Sequence, residues 1–143
     1  MESVRTIPKK QIYKAIIEAI GQIYCQSTPE TKSLLNQALA IEEDDVAKDM
    51  LQAMLLNEEL AAKEQLPICQ DTGIVIVFAD IGTETKIENG TLYSIVSEAV
   101  NDAWGKYYLR DSIAEEPLRY FSNPQKKSKY YSQPVILHLS EIL

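Results

Sequence analysis

The chain has 143 residues, 45% hydrophobic and 24% charged, and a formal net charge of −7. That is the composition of a globular domain with enough apolar mass for a core, and its acidic balance argues against nucleic acid as a partner, since phosphate binding needs a basic surface. No window approaches the roughly 20 apolar residues of a membrane span, and polar residues 1–10 lack the apolar centre of a secretory signal, so a cytoplasmic location away from membranes is expected.

The first half reads as helices. From Gln11 to Tyr24, the residues Ile12, Ile16, Ala19, Ile20 and Ile23 recur at helical spacing. Ser27-Thr28-Pro29-Glu30 resembles a capping box, with a hydroxyl cap, a proline in the first turn and a glutamate three residues on. The helix it opens carries Leu34, Leu35, Ala38 and Leu39 on one face. Asp44 or Asp45 caps a third helix, with Val46, Met50, Ala53, Met54, Leu60 and Ala61 as its apolar face and an end before Pro67.

The pattern then changes. Ile74 to Ile81, bracketed by Gly73 and Gly82, is mostly β-branched and apolar on both faces, which predicts a buried strand. Asn89-Gly90 marks a turn. Thr91 caps a helix with Leu92, Ile95, Val96, Ala99, Ala103 and Trp104 along one side, fraying near Gly105. Residues 115–133 read as a loop, and its basic cluster Lys126, Lys127 and Lys129, beside Tyr130 and Tyr131, as a solvated face. Pro134 to Leu143 alternates apolar residues with His138 and Ser140, which predicts a last strand. The expected fold class is α+β, over residues 1–143 as a single domain: three helices, a buried strand, a helix, a loop and a terminal strand. Two such strands do not make a stable sheet by themselves, so something else is expected to complete it.

Chemistry concentrates in Leu66-Pro67-Ile68-Cys69-Gln70-Asp71-Thr72-Gly73. Four polar or reactive side chains lie between a proline and a glycine, with apolar residues on either side. A thiolate on such a loop is a good iron or zinc ligand, and the adjoining amide, carboxylate and hydroxyl can hydrogen-bond a substrate or a cluster. The plainer reading of the same spacing is a half-buried cysteine followed by an Asx-type turn. Cys25, at helical spacing beside Ile23, reads as a core cysteine, and His138, the only histidine, as structural.

The Cys69-to-Gly73 string resembles the first cluster-binding motif of the class I fumarases and the related tartrate dehydratase alpha subunits. Gly82, Gly90-Thr91-Leu92, Tyr108-Leu109-Arg110-Asp111-Ser112, Glu116-Pro117-Leu118 and Pro134-Val135-Ile136-Leu137-His138 follow in the family's order. The resemblance implies a hydro-lyase acting on a small dicarboxylate through a [4Fe–4S] cluster. In that family three cysteines hold three irons, and the fourth, open iron is a Lewis acid. Cys69 falls on the first cysteine position. Gln70 and Asp71 fall on substrate contacts, Asp71 and Thr72 are the catalytic candidates, with Asp71 the one for proton transfer, and Arg110 falls on an arginine that grips a substrate carboxylate.

The chain also departs from the family pattern. An Asn-Thr-Gly-x-Asn run is replaced by residues 123–133, with Asn123 its one remnant, and the sequence stops before the second and third cysteine positions. The expectation is therefore the N-terminal part of an incomplete fumarase-type alpha domain that holds one of three cluster ligands, with a homo-oligomer or a partner chain supplying the rest. Fumarate–malate interconversion is the preferred chemistry and tartrate dehydration its rival. A degenerate remnant that keeps only the fold is the alternative from another class.

Overall fold

The structure, a computed structural model, describes residues 4–110 and 135–142. Their elements run β1 (Arg5–Ile7), α1 (Lys9–Cys25), α2 (Pro29–Ile41), α3 (Asp45–Glu64), β2 (Val75–Gly82), β3 (Thr85–Ile87), α4 (Leu92–Lys106) and β4 (Val135–Ile142). The mixture is α+β, as the sequence predicts. The expected loop over residues 115–133 lies outside the described residues.

The starts of α2, α3 and α4 each have a side-chain cap. Thr28, not Ser27, caps α2, and its side chain accepts from the Thr31 amide at 3.2 Å. Pro29 sets the helical φ of the first turn, so the residue before it becomes the cap. Ser27 instead donates its hydroxyl to Glu58 Oε2 at 2.6 Å, which gives that buried carboxylate a partner. Asp44 caps α3 by accepting from the Ala47 amide. Gln65 ends α3 in the left-handed region, with φ 55°, two residues before Pro67. Thr91 and Ser94 form a reciprocal capping box at the start of α4.

Three-residue β1 and β3, which the sequence pattern does not mark, pair in parallel with Arg5 opposite Thr85 and Ile7 opposite Ile87. β1 leads directly into α1, and β3 leads into α4 through the Asn89-Gly90 turn, so the clasp joins the starts of these two helices. Lys9 to Glu98 and Tyr13 to Asp102 keep the two helices in step along their exposed seam. Farther along, a Cβ on Gly21 would collide with the hydroxyl and ring of Tyr107, so only glycine permits this approach. The core lies between these helices and one face of a sheet. It comprises Ile20, Cys25, Val96, Val100, Ala103, Trp104, Tyr107, Leu109 and Val135, with Ile16, Ile17, Tyr24, Val75 and Val77 packed against it. Cys25 is fully buried, in keeping with a core cysteine. Ile23, expected on the buried stripe, is 68% exposed, because the stripe of α1 runs through Ile16, Ile17, Ile20 and Tyr24 instead.

That sheet is β2 and β4, paired in parallel over eight residues from Val75 opposite Val135 to Gly82 opposite Ile142. The expected buried strand and the terminal strand thus find each other, joined through α4. Burial corrects the two-sided reading of β2, which alternates along its length. Val75 and Val77 face the core, whereas Ile76 and Phe78 are exposed. Opposite them, exposed Ile136 and His138 continue the open face, and His138 stacks on Phe78 with ring centroids 5.0 Å apart. The anticipated apolar face of α3 is likewise open at Val46, Met50, Met54 and Leu60, while Glu58 and Ala61 are its buried residues. Among the described residues, no helix is long and apolar enough to cross a membrane.

Candidate functional site

The segment between α3 and β2 is held at both shoulders and free at its tip. At the first shoulder, both backbone groups of Ile68 are engaged. Its amide donates to the Tyr24 carbonyl at 2.9 Å, and its carbonyl accepts from Asn57 Nδ2 at 2.9 Å. At the second shoulder, the Thr72 carbonyl accepts from Tyr24 Oη at 2.7 Å. The Thr72 hydroxyl donates to the Arg110 carbonyl. Gly73 then turns the chain into β2 with φ 58°, where a side chain would be strained.

Between the shoulders, Cys69, Gln70 and Asp71 are exposed. The Cys69 thiol lies 3.6 Å from the Asp71 carbonyl, within reach of a weak S–H donation. Thr72 behaves differently from its neighbours, being only 4% exposed. Arg110 is also exposed. Although it is 38 residues away in sequence, its backbone is drawn against the loop by Thr72, and its carbonyl accepts a second hydrogen bond from Trp104 Nε1 at 3.3 Å. The five residues singled out in the sequence therefore occupy two linked segments, with Cys69, Gln70 and Asp71 on one, Arg110 on the other, and Thr72 as the bond between them.

Two aromatic residues that sequence reasoning did not assign to the site complete the connection. Tyr24 and Trp104 meet edge to face, with centroids 5.3 Å apart. Burial first, and then the negative charge of a Cys69 thiolate, raise the Tyr24 phenol above its ordinary pKa, which keeps it a donor. Burial alone raises the Cys25 thiol. Asn57 is the third unassigned contributor. Its signal was a polar residue amid Ala53, Met54, Leu60 and Ala61 on the apolar stripe of α3.

An exposed cysteine on a loop fixed at both ends suits a single metal-ligand thiolate. Among the described residues, no group of three or more His, Cys, Asp or Glu is gathered where it could hold a metal ion. The described donor set therefore fits one ligand position of a cluster and not the whole set. Asp111 and Ser112, which extended the arginine motif in sequence, lie outside the described residues, as do Asn123 and Pro134. His138 belongs to the open face of the β2–β4 sheet.

The family model described as Fumarate hydratase (Fumerase) matches residues 13–142. A Methanocaldococcus jannaschii protein, named for the alpha subunit of an L(+)-tartrate dehydratase, is 28% identical over 109 residues, which is 76% of this chain and 35% of that protein. The chain thus spans about a third of the length of the curated relative it matches.

Proposed function

The chain belongs to the fumarate hydratase (Fumerase) family, a family of hydro-lyases, and we propose that it contributes one wall of a site that adds water to, or removes it from, a four-carbon dicarboxylate. The observation that carries this reading is the bond between the two segments. Thr72 joins the loop bearing exposed Cys69, Gln70 and Asp71 to the backbone of exposed Arg110. A carboxylate and an amide on the loop of an exposed thiol, tied through the Thr72 hydroxyl to the backbone of an arginine, suit a substrate with acid groups and a labile hydroxyl.

In this reading Arg110 binds one substrate carboxylate through a planar, two-pronged guanidinium. The Gln70 amide orients the substrate. Asp71 takes the proton from the carbon next to the hydroxyl-bearing carbon in dehydration and returns it in hydration. Thr72, whose hydroxyl is buried and turned toward Arg110, holds the loop in place. Cys69 is one thiolate ligand of a [4Fe–4S] cluster, and the remaining ligands come from outside these 143 residues, from a continuation of the chain or from a partner chain. When bound, such a cluster supplies an open iron that polarises the leaving hydroxyl.

Fumarate–malate interconversion is the proposed chemistry. Tartrate dehydration is the second reading, favoured by the name of the relative from Methanocaldococcus jannaschii. Partnership with another subunit is proposed on the same ground. The test is an assembly of this chain with the polypeptide that completes it, loaded anaerobically with iron and sulfide and assayed on fumarate, malate and L(+)-tartrate. Turnover of one of these, lost together with the cluster absorbance in Cys69→Ser, is the expected result. An assembly that carries a cluster and turns over none of them, or one whose Cys69→Ser variant keeps both cluster and turnover, would leave the remnant reading in its place.

A further inference from the structure

Four residues close a ring beneath the site. Tyr24 Oη donates to the Thr72 carbonyl, the Thr72 hydroxyl donates to the Arg110 carbonyl, Trp104 Nε1 donates to the same carbonyl, and the Trp104 ring meets the Tyr24 ring edge to face. Its members come from α1, the loop, α4 and the segment after α4, so it spans residues 24 to 110. Thr72 and Trp104 are buried, at 4% and 5% exposure, so the donors are shielded from competing water. The Ile68 amide bonds to the backbone of Tyr24, and the Leu109 amide to the backbone of Trp104 at 3.0 Å. Each aromatic residue therefore grips one of the two functional segments by its main chain and its side chain together, and the two aromatic rings meet each other.

We infer that Tyr24 and Trp104, acting through Thr72, are positioning residues that hold the Cys69 loop and Arg110 at one fixed mutual placement. The inference rests on the proposed site for its catalytic meaning, but the placement itself is a property of the chain. A ligand thiolate and a carboxylate-binding arginine on separate segments serve one small substrate only if their separation does not drift, and displacements of about 1 Å cost roughly a hundredfold in rate. The hydroxyl of Thr72 is the part of the ring that can be removed without changing its shape.

The test compares Thr72→Val, Thr72→Ser and Tyr24→Phe with the unaltered chain. Valine keeps the volume and removes the donor, whereas serine keeps the donor and loses a methyl group. Phenylalanine keeps the edge-to-face ring and loses the hydroxyl. Hydrogen exchange is read at the Ile68 and Leu109 amides, one in each segment. The modification rate of Cys69 by a thiol reagent is read alongside, with fully buried Cys25 as the slow internal reference. Cooperative thermal unfolding checks that each variant is folded.

A positioning ring predicts that Thr72→Val and Tyr24→Phe speed exchange at both amides together by about tenfold, the scale of one lost hydrogen bond. Cys69 modification rises in parallel, and Thr72→Ser stays near the unaltered chain. If Thr72 serves only as packing, the order reverses, with serine disturbed and valine silent, and the inference falls. It falls equally if exchange rises in one segment and not the other. Should Thr72→Val fail to fold, Tyr24→Phe alone decides. Coupled exchange in a chain whose completed assembly turns over no dicarboxylate would keep the ring and remove the hydro-lyase reading.

Discussion

Two glycines in helices give a direct measurement of how closely α1 and α4 are packed. Gly105, in the last turn of α4, has nothing within 4 Å of the position a Cβ would take, whereas a Cβ on Gly21 runs into the buried side chain of Tyr107. Replacing a helical glycine by alanine gains roughly 0.5–1 kcal/mol by restricting the unfolded chain and filling the helix. Gly105→Ala should show that gain in full. Gly21→Ala gains the same and loses about 1–3 kcal/mol to overpacking. Tyr107 cannot swing clear, since it is 5% exposed and its hydroxyl accepts from Lys106 Nζ at 3.0 Å. The expected net result is a loss of about 1 kcal/mol at Gly21 and a contrast of roughly 2 kcal/mol between the two sites, taking the midpoints of those ranges. Urea denaturation with a common slope reads both values. Equal stabilisation by the two substitutions would show that α1 and α4 do not approach as described. Because Tyr24 lies one turn beyond Gly21, the destabilised variant should also loosen the Ile68 amide.

Two further outcomes concern the completed assembly. Arg110→Lys should leave the cluster spectrum intact and lower kcat/KM by about ten- to a hundredfold, because lysine keeps the charge and loses the two-pronged grip, at roughly 1.5–3 kcal/mol; a kinetically silent variant would remove Arg110 from the site. Asp71→Asn should lower kcat far more than it raises KM in steady-state assays, since the amide keeps the shape and removes the basicity. A change confined to KM would make Asp71 a binding residue only.

The helical half of this fold was legible because its signals are local. Asp44 and Thr91 sit before periodic apolar runs, and both cap where expected. The shift of the α2 cap from Ser27 to Thr28 shows how one proline outweighs the spacing of a box motif. Pairing between strands was not legible. Three-residue β1 and β3 are too short to display alternation, and the parallel register of β2 with β4 depends on α4 lying over one face. In β2 an apolar residue at every position but Asp80 and Gly82 hid which face meets the core. The candidate site divided in the same way. Cys69 to Thr72 are contiguous, and their residue types announce chemistry. Tyr24 and Trp104 look like ordinary members of apolar stripes, and only the finished fold brings a phenol hydroxyl and an indole N–H to the backbone of residues far along the chain.

The parallel register carries a consequence for synthesis. Val75 pairs with Val135, so β2 leaves the ribosome and waits while some sixty further residues are made before its partner exists. During that interval the strand that anchors the Cys69 loop shows an unpaired edge as well as its outer face with Ile76 and Phe78, a setting in which nascent chains meet chaperones or each other. The loop, by contrast, draws its first-shoulder contacts from α1 and α3, which are already complete by then. The loop therefore sets in stages: Ile68 and the Thr72 carbonyl can dock early on the helical base through Tyr24 and Asn57, and the Thr72 hydroxyl finds its acceptor only when Arg110 arrives.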